Sequence, residues 1–173
     1  MCGVARPRVW ALVALLATAP AAAAQTPDAS AAGPAVRLQA LGSVPMTGDH
    51  RHVAGGALVQ LRLGSASVVG LGMAGKGGQY ESLLGGGGVG LRLWRLGPAD
   101  VTGFAGYGVY REEGWTGIRR DAGGALVGLF GTVDLGPVAL TVGAIDLVGR
   151  YSKDDVAEPF WFRVPRLTFG VGL

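Results

Sequence analysis

Cysteine is almost absent from this 173-residue sequence, and charged residues are scarce. The only cysteine, Cys2, precedes an apolar stretch that we expect to be removed. The mature chain then has no thiol for a disulfide, a thiolate metal site or a cysteine nucleophile. Only 16% of the residues are charged, and the mean hydropathy is positive. Such a chain must either bury nearly all of its valine, leucine and alanine or expose them to something other than water.

The sequence also lacks an apolar run of the roughly 20 residues that a helix needs to cross a bilayer. The stretch from Val9 to Ala19 is almost wholly apolar but too short, and it follows Arg6 and Arg8. The small residues Ala21 to Ala24 come next, which is the order of a secretory signal peptide cleaved after Ala24. We therefore expect a signal peptide at residues 1–24, a flexible leader at 25–34 and one domain at 35–173.

The charge of the mature chain does not indicate nucleic-acid binding. Without Arg6 and Arg8, 13 basic residues remain against 12 acidic ones, a net charge of +1. Nucleic acid is therefore not an expected partner.

After residue 34 the apolar residues follow no helical period. Instead, eight short segments rich in valine, leucine, glycine and aromatic residues have at least partial two-residue alternation. Their lengths suit tilted strands that cross a hydrocarbon layer, which need about 9 to 11 residues. The predicted segments are Ala35 to Val44, Ala54 to Leu63, Ser67 to Gly75, Gly85 to Arg95, Val101 to Tyr110, Gly124 to Asp134, Val138 to Arg150 and Phe162 to Leu173.

The connections between these segments alternate between short and long. Three are tight turns built on glycine or proline, around Gly64, Gly97 and Gly136. The longer ones are Pro45 to Val53, Lys76 to Leu84, Arg111 to Gly123 and Tyr151 to Trp161. Tight turns on one rim and longer loops on the other are typical of a transmembrane barrel. The predicted fold is all-β, an eight-stranded antiparallel up-and-down transmembrane β-barrel.

The alternation assigns a lipid-facing and an inward-facing side to the clearest strands. Val59 and Leu61 lie on the opposite face of their strand from Gln60, and Val89 and Leu91 form a similar apolar face on theirs. We place both apolar faces toward lipid. A charge that faces the bilayer midplane costs about 2 to 4 kcal/mol, so the arginines of the strands should point inward. The predicted polar network of the lumen, a candidate binding region, is Arg37, Gln39, Gln60, Arg62, Arg92 and Arg166. Its candidate partners are Thr132, Thr168 and either Asp134 or Asp146, although a place for Asp146 near the outer rim stays open. The aromatic residues that suit an interfacial girdle are Trp94, Tyr110, Tyr151, Phe160, Trp161 and Phe162.

The last segment resembles a known family. Leu167, Phe169, Val171 and Leu173 alternate to the end of the chain, like the C-terminal strand that the outer-membrane assembly machinery recognises. With the eight segments and the signal peptide, the mature chain resembles the small eight-stranded outer-membrane proteins typified by the OmpA transmembrane domain and OmpX. The resemblance implies insertion by the barrel assembly machinery and roles in envelope integrity or surface adhesion.

Two polar loops carry the residues most suggestive of chemistry or recognition. His50 and His52 lie beside Asp49 and could bind a metal, or serve a lipid hydrolase with Ser43 or Ser82 as nucleophile. No third ligand is in sequence reach, and a solvated loop explains the pair equally well. In the third long loop, Trp115, Arg119 and Arg120 could contact a partner or lipopolysaccharide phosphates, although a solvated loop of mixed charge is the simpler interpretation.

Glycine-rich motifs are expected by chance in a chain with 32 glycines. Gly70, Gly72 and Gly75 have the spacing of a pyrophosphate-binding turn, but no helical pattern follows them. The run from Gly85 to Gly88 lacks the lysine of a phosphate loop and is interpreted as flexible strand entry.

The function that we expect is a non-enzymatic outer-membrane barrel, without cofactor or metal, that acts as an envelope scaffold or as a surface-interaction protein through its extracellular loops. Its expected partners are outer-membrane lipid, lipopolysaccharide and the barrel assembly machinery, and it is expected to be a monomer. Three alternatives remain: a lipid hydrolase or acyltransferase, a narrow channel for ions or small apolar molecules, and a soluble periplasmic barrel that binds a ligand.

Overall fold

The computed structural model describes residues 35–46, 53–77, 80–114, 119–152 and 161–173, without the side chains of 120, 151 and 152. Eight strands form one closed antiparallel barrel in chain order, and the last strand pairs with the first. The strands are β1 (Ala35–Pro45), β2 (Ala54–Leu63), β3 (Ala66–Gly77), β4 (Tyr80–Leu96), β5 (Ala99–Gly114), β6 (Arg119–Asp134), β7 (Ala139–Ser152) and β8 (Trp161–Gly172). The predicted up-and-down barrel is therefore confirmed. Within these ranges, no helix has the length and apolar character to cross a membrane.

Three tight turns join strands at one end of the barrel, as predicted. Gly64, Gly97 and Gly136 have φ angles of 69°, 54° and 81° there, a region that L-residues with side chains rarely adopt. The Leu135 amide donates to the Val138 carbonyl at 2.8 Å across the third turn. We call this rim the turn end and the opposite rim the loop end.

Strands β4, β5 and β6 extend farther toward the loop end than the sequence predicts. The sequence predicts loops from Lys76 to Leu84 and from Arg111 to Gly123. This is wrong for most residues of both ranges, which belong to strands. Glu81 pairs with Lys76 on one side and with Glu113 on the other, so the ladder continues through these charged residues. Charge resembles a loop signal in the sequence, but strands that extend into water keep their pairing and carry charge on their outer face. The glycine run at Gly85 to Gly88 lies inside β4 rather than at its start, which corrects a second prediction.

The strand register determines the width of the barrel. A path from each residue to its ladder partner leads from Ala35 around the barrel to Pro45, so one circuit advances ten residues along β1. The path passes through Arg62, Ser67, Gly90, Phe104, Gly128, Ile145 and Arg166. Eight strands with this offset tilt by about 40° and form a barrel about 8 Å in radius. Side chains can fill a lumen of this width, which excludes a wide pore.

Apolar side chains pack across the middle of the lumen. Phe104 and Phe130 stack with ring centroids 5.3 Å apart and an interplanar angle of 1°. Glycines opposite them provide the space, because a Cβ at Gly128 would lie 2.1 Å from Cε1 of Phe104 and one at Gly143 would lie 2.3 Å from Cδ1 of Phe130. The apolar layer is completed by Leu41, Leu58, Val69, Leu71, Met73, Leu84, Leu126, Ile145, Leu147 and Val164.

The outer surface of the barrel is a continuous band of exposed apolar side chains. Val59 and Leu91 are 45% and 54% exposed, whereas Gln60, the next residue after Val59, is buried, so the predicted facing of β2 and β4 is confirmed. We call this surface the apolar belt; it covers roughly 25 Å along the barrel axis. Its larger members are Val36, Leu38, Val59, Leu63, Val68, Val89, Leu91, Leu93, Val109, Val127, Leu129, Val133, Leu140, Val142, Leu167, Phe169 and Val171.

The predicted aromatic girdle is correct for two of its six residues. Trp94 and Trp161 are exposed on the outer surface. Tyr110 and Phe162 instead point inward and lie 5.3 Å apart, centroid to centroid, because each has the same strand parity as its lumen-facing neighbours. Phe160 and the Tyr151 side chain lie outside the described part of the chain.

Candidate functional site

Charged side chains line the lumen at the turn end. Arg62 Nη2 lies 2.5 Å from Asp100 Oδ2, and Arg37 is hydrogen-bonded to Asp134 while Arg37 Nη1 lies 3.9 Å from the same Asp100 oxygen. The side chains of Arg37, Arg62 and Asp100 are 12%, 20% and 5% exposed. Opposite charges therefore alternate in a chain of four, which offsets the cost of removing each charge from water.

Neutral side chains continue this network toward the apolar layer. Gln39 Nε2 donates to Thr141 Oγ1 at 2.8 Å, and the Thr132 and Thr141 hydroxyls lie 3.0 Å apart. Gln60 Nε2 donates to Ser67 Oγ at 3.2 Å. All of these side chains are buried, so each bond satisfies polar atoms that would otherwise lack a partner.

Arg92 lies on the rim of this region. Its Nη2 donates to the Gly64 carbonyl oxygen at 3.1 Å. A small open cleft lies beside it and is lined by Gln60, Arg62 and Ser67 among others. We call the set Arg37, Gln39, Gln60, Arg62, Arg92, Asp100, Thr132, Asp134 and Thr141 the turn-end cluster.

The structure brings five of the six predicted lumen residues into the turn-end cluster, and places the sixth elsewhere. Arg166 is 1% exposed and lies nearer the loop end, where its Nε donates to Ser43 Oγ at 2.9 Å. Tyr110 donates to Glu112 Oε2 at 2.7 Å in the same half of the lumen. Thr168, expected to partner an arginine, is fully buried, and its hydroxyl oxygen has no hydrogen-bond partner among the described residues. The apolar layer separates these groups from the turn-end cluster.

Two buried carboxylates are missed by the sequence interpretation. The sequence places Asp100 in a turn and Glu112 in a loop, yet both point into the lumen. Asp100, Thr102 and Phe104 share one face of β5, so extending the predicted strand by one residue would have shown the inward direction of Asp100. Of the two carboxylates proposed as partners of the lumen arginines, Asp134 pairs with Arg37, whereas Asp146 pairs with Arg163 on the outer wall.

Asp146, whose direction the sequence left open, faces the outer surface and not the lumen network. It lies between Val127 of β6 and Pro165 of β8 in the ladder, and its Oδ2 accepts hydrogen bonds from Nε and Nη2 of Arg163. The two side chains are 17% and 50% exposed. An ion pair thus lies on the wall just where the apolar belt ends.

Outward charged side chains also ring the barrel above the belt at the loop end. Lys76 pairs with Glu81, and Asp121 accepts hydrogen bonds or ion pairs from Arg111 at 2.8 Å and Arg119 at 3.2 Å. The loop-end charge ring is Lys76, Glu81, Arg111, Glu113, Arg119, Asp121, Arg150 and Arg163. Its position marks where the outer wall changes from apolar to polar.

The predicted loop contacts are only partly described. His50, His52 and Trp115 lie outside the described residues, and Arg120 is described only as a backbone position of β6. Arg119 is half-exposed and belongs to the loop-end charge ring.

The serines proposed as nucleophiles and the glycines proposed for nucleotide binding lie inside strands. Ser43 is buried and bonded to Arg166, and Ser82 is buried in β4. The motif from Gly70 to Gly75 lies inside β3 and is followed by β4 rather than a helix. Among the described residues, no three histidine, cysteine, aspartate or glutamate side chains gather to hold a metal ion.

Comparison with known proteins identifies a structural neighbour but no family. No protein-family model matches the chain, and no curated protein matches it. The chain is similar to the crystal structure of Neisserial surface protein A (NspA), with a TM-score of 0.58 and 14% sequence identity, over 82% of this chain and 99% of that one. At this identity the likeness shows a shared fold, and the narrower resemblance to OmpA and OmpX stays a prediction.

Proposed function

We propose that this protein is a non-enzymatic barrel of the bacterial outer membrane that acts as an envelope scaffold or as a surface-interaction protein through its loops. The apolar belt is the observation that supports this proposal. Val36 and Val89 are each 68% exposed, and Phe169 is 52% exposed, on a surface that runs around all eight strands. A soluble monomer rarely exposes so large a contiguous apolar surface, whereas acyl chains would cover it at no cost.

Closure of the sheet supports the same conclusion. Each strand pairs on both sides, so the backbone polar groups within the belt are satisfied inside the barrel. The roughly 25 Å height of the belt equals the apolar band of outer-membrane barrels. The structural neighbour is by name a surface protein, which agrees with an outer-membrane location for this chain. In that location the turn end faces the periplasm and the loop end faces outward.

The lumen supports a scaffold rather than a channel. Ions that crossed the barrel would have to pass the stacked rings of Phe104 and Phe130 and the surrounding leucines, which are 0% to 7% exposed. The arginines at the turn end are held by carboxylates instead of lining an open path. Recognition by this protein would therefore reside in its loops and outer wall.

A substitution within the belt tests the membrane location directly. Val89→Arg puts a charge on the belt, and Tyr80→Arg puts the same charge on the same strand at the loop-end mouth of the barrel, at an exposed residue with the strand parity of the lumen-facing Ser82. We expect Val89→Arg to destabilise the barrel in lipid by about 2 to 4 kcal/mol and to reduce insertion into vesicles, while Tyr80→Arg inserts normally. The measurement is flotation of folded protein with lipid vesicles, followed by urea titration.

A soluble barrel would give a different result. Both positions would face water, so both variants would stay dispersed without detergent and unfold like the unaltered chain. That outcome would contradict the proposed function. A conducting channel in planar bilayers would contradict the scaffold role but not the location.

A further inference from the structure

We infer that the outer wall of β7 and β8 binds the phosphate of an anionic outer-leaflet lipid between Arg150 and Arg163. This inference rests on the proposed function, because it requires the barrel to sit in a bilayer with its loop end outward. Arg150 and Arg163 lie on the barrel wall, outside the set of loop residues that the sequence predicts as surface contacts.

The strand register places the two arginines next to each other on the outer face. Arg150 pairs with Trp161, and Arg163 is two residues farther along β8 on the same face. Diagonal neighbours in an antiparallel ladder lie about 7 to 8 Å apart. A phosphate between two guanidinium groups at this separation can accept hydrogen bonds from both, since each planar fork offers paired donors.

Asp146 restrains one of these arginines without neutralising the patch, by which we mean Arg150, Arg163 and Asp146 together. Its Oδ2 accepts from Nε and Nη2 of Arg163, which fixes the guanidinium plane and leaves Nη1 for another acceptor. The Arg163 side chain is 50% exposed despite this pair. No ion pair joins Arg150 to a carboxylate of the described residues, so the patch has a net charge of +1.

Along the barrel axis, the patch lies at the level expected for lipid head groups. Arg150 and Arg163 belong to the loop-end charge ring, directly above the apolar belt. Trp161, which is 73% exposed, lies directly opposite Arg150 on the wall. Tryptophan and arginine both concentrate where acyl chains meet head groups, and arginine adds selectivity for negative charge.

The rest of the charge ring is neutral. Its three cations, Lys76, Arg111 and Arg119, are balanced by the carboxylates of Glu81, Glu113 and Asp121. Lys76 therefore provides a matched control: it carries one positive charge at a similar height on the wall, but its partner Glu81 neutralises it.

Quenching of Trp161 fluorescence by brominated lipids tests the inference. The exported chain, with Trp94 and Trp115 changed to phenylalanine, is inserted into phosphatidylcholine vesicles that contain brominated phosphatidylglycerol or, at the same mole fraction, brominated phosphatidylcholine. We expect phosphatidylglycerol to be preferred beside Trp161 by about fivefold for each arginine that contacts it. Arg150→Gln and Arg163→Gln should each reduce this preference about fivefold, and Lys76→Gln should leave it unchanged.

Three outcomes would overturn the inference. Equal quenching by the two lipids would show that the patch does not select phosphate lipids of negative charge. An equal effect of Lys76→Gln would show a general effect of surface charge rather than a site. Loss of the preference in excess inorganic phosphate would show a site for soluble anions instead of lipid. Failure of the unaltered chain to insert into vesicles would contradict the proposed function itself, whereas insertion without lipid preference contradicts only this inference.

Discussion

At the scale of single residues, Asp100 determines whether the turn end of the lumen can hold its arginines. Its carboxylate is 5% exposed, 2.5 Å from Arg62 and 3.9 Å from Arg37. Arg37 has a second acid, Asp134, but Arg62 forms no other ion pair with a described residue. A buried charge that loses its partner is costly, because neither water nor another acid replaces the lost interaction.

We expect Asp100→Ala to destabilise the barrel by about 3 kcal/mol, since it leaves Arg62 uncompensated. The measurement is the urea midpoint of the barrel in lipid vesicles. Asp121→Ala is the control: it removes an acid that is 48% exposed and bonded to Arg111, and its expected cost is under about 1 kcal/mol. The double change Asp100→Leu with Arg62→Leu should restore most of the lost stability. Equal effects of Asp100→Ala and Asp121→Ala would contradict the role that we assign to Asp100.

The directions of the lumen residues were largely predictable from sequence, and their partners were not. The inward direction of Arg37, Arg62, Arg92 and Arg166 follows from the cost of a charge in lipid. Which acid meets which arginine depends on the tilt and register of strands that are distant in sequence. Asp146 and Asp100 show how far strand parity reaches. It places Asp146 outside and would place Asp100 inside, but the predicted β5 begins one residue too late to include Asp100, and parity names the arginine partner of neither acid.

At the scale of elements, turns were predicted well because their signal is local. Glycine followed by proline requires only a few residues to form a reverse turn, and Gly97 and Gly136 adopt the positive φ that such a turn needs. The ends of β4, β5 and β6 depend instead on pairing between strands outside the belt, and charge there resembles a loop. Pro165 is a further example: its carbonyl accepts the Met46 amide at the last rung between β1 and β8, so the amide that proline lacks is missing only at the end of that ladder.

The φ of 81° at Gly136 predicts a cost for any side chain there. Gly136→Ala should destabilise the barrel by about 1 kcal/mol and slow the formation of the hairpin between β6 and β7. Gly72→Ala is the matched control, since Gly72 lies in a strand on the outer face and a Cβ there meets no atom within 4 Å. Refolding kinetics into vesicles measure both effects. Equal rates for the two variants would contradict a conformational requirement at the turn.

At the scale of the whole molecule, the pairing of β8 with β1 converts a sheet into a barrel. The sequence predicts eight strands and their order, but closure is a property of the total tilt, which no single segment encodes. The seam between β1 and β8 extends from the Leu173 amide, which donates to the Leu38 carbonyl at 3.1 Å, to Met46 and Pro165. Without this seam, two strand edges would lie unpaired in the bilayer, and each exposed backbone group would cost several kcal/mol.

The absence of cysteine after Cys2 allows a direct test of this seam. Ala40 and Val171 are ladder partners and both face outward, so cysteines at these positions would have Cα atoms about 5.5 Å apart, within disulfide range. We expect Ala40→Cys with Val171→Cys to form an intramolecular disulfide in the folded protein, detected by thiol titration and mass spectrometry. The control pair is Ala40→Cys with Leu140→Cys, because Leu140 is the β7 ladder partner of Val171, one strand beyond β8, where the separation is about 10 Å. An open sheet or a two-sheet sandwich would keep residues 40 and 171 apart and leave both thiols free. Only a barrel closed in this register brings the first pair of thiols within disulfide range while the second pair stays too far apart to be oxidised.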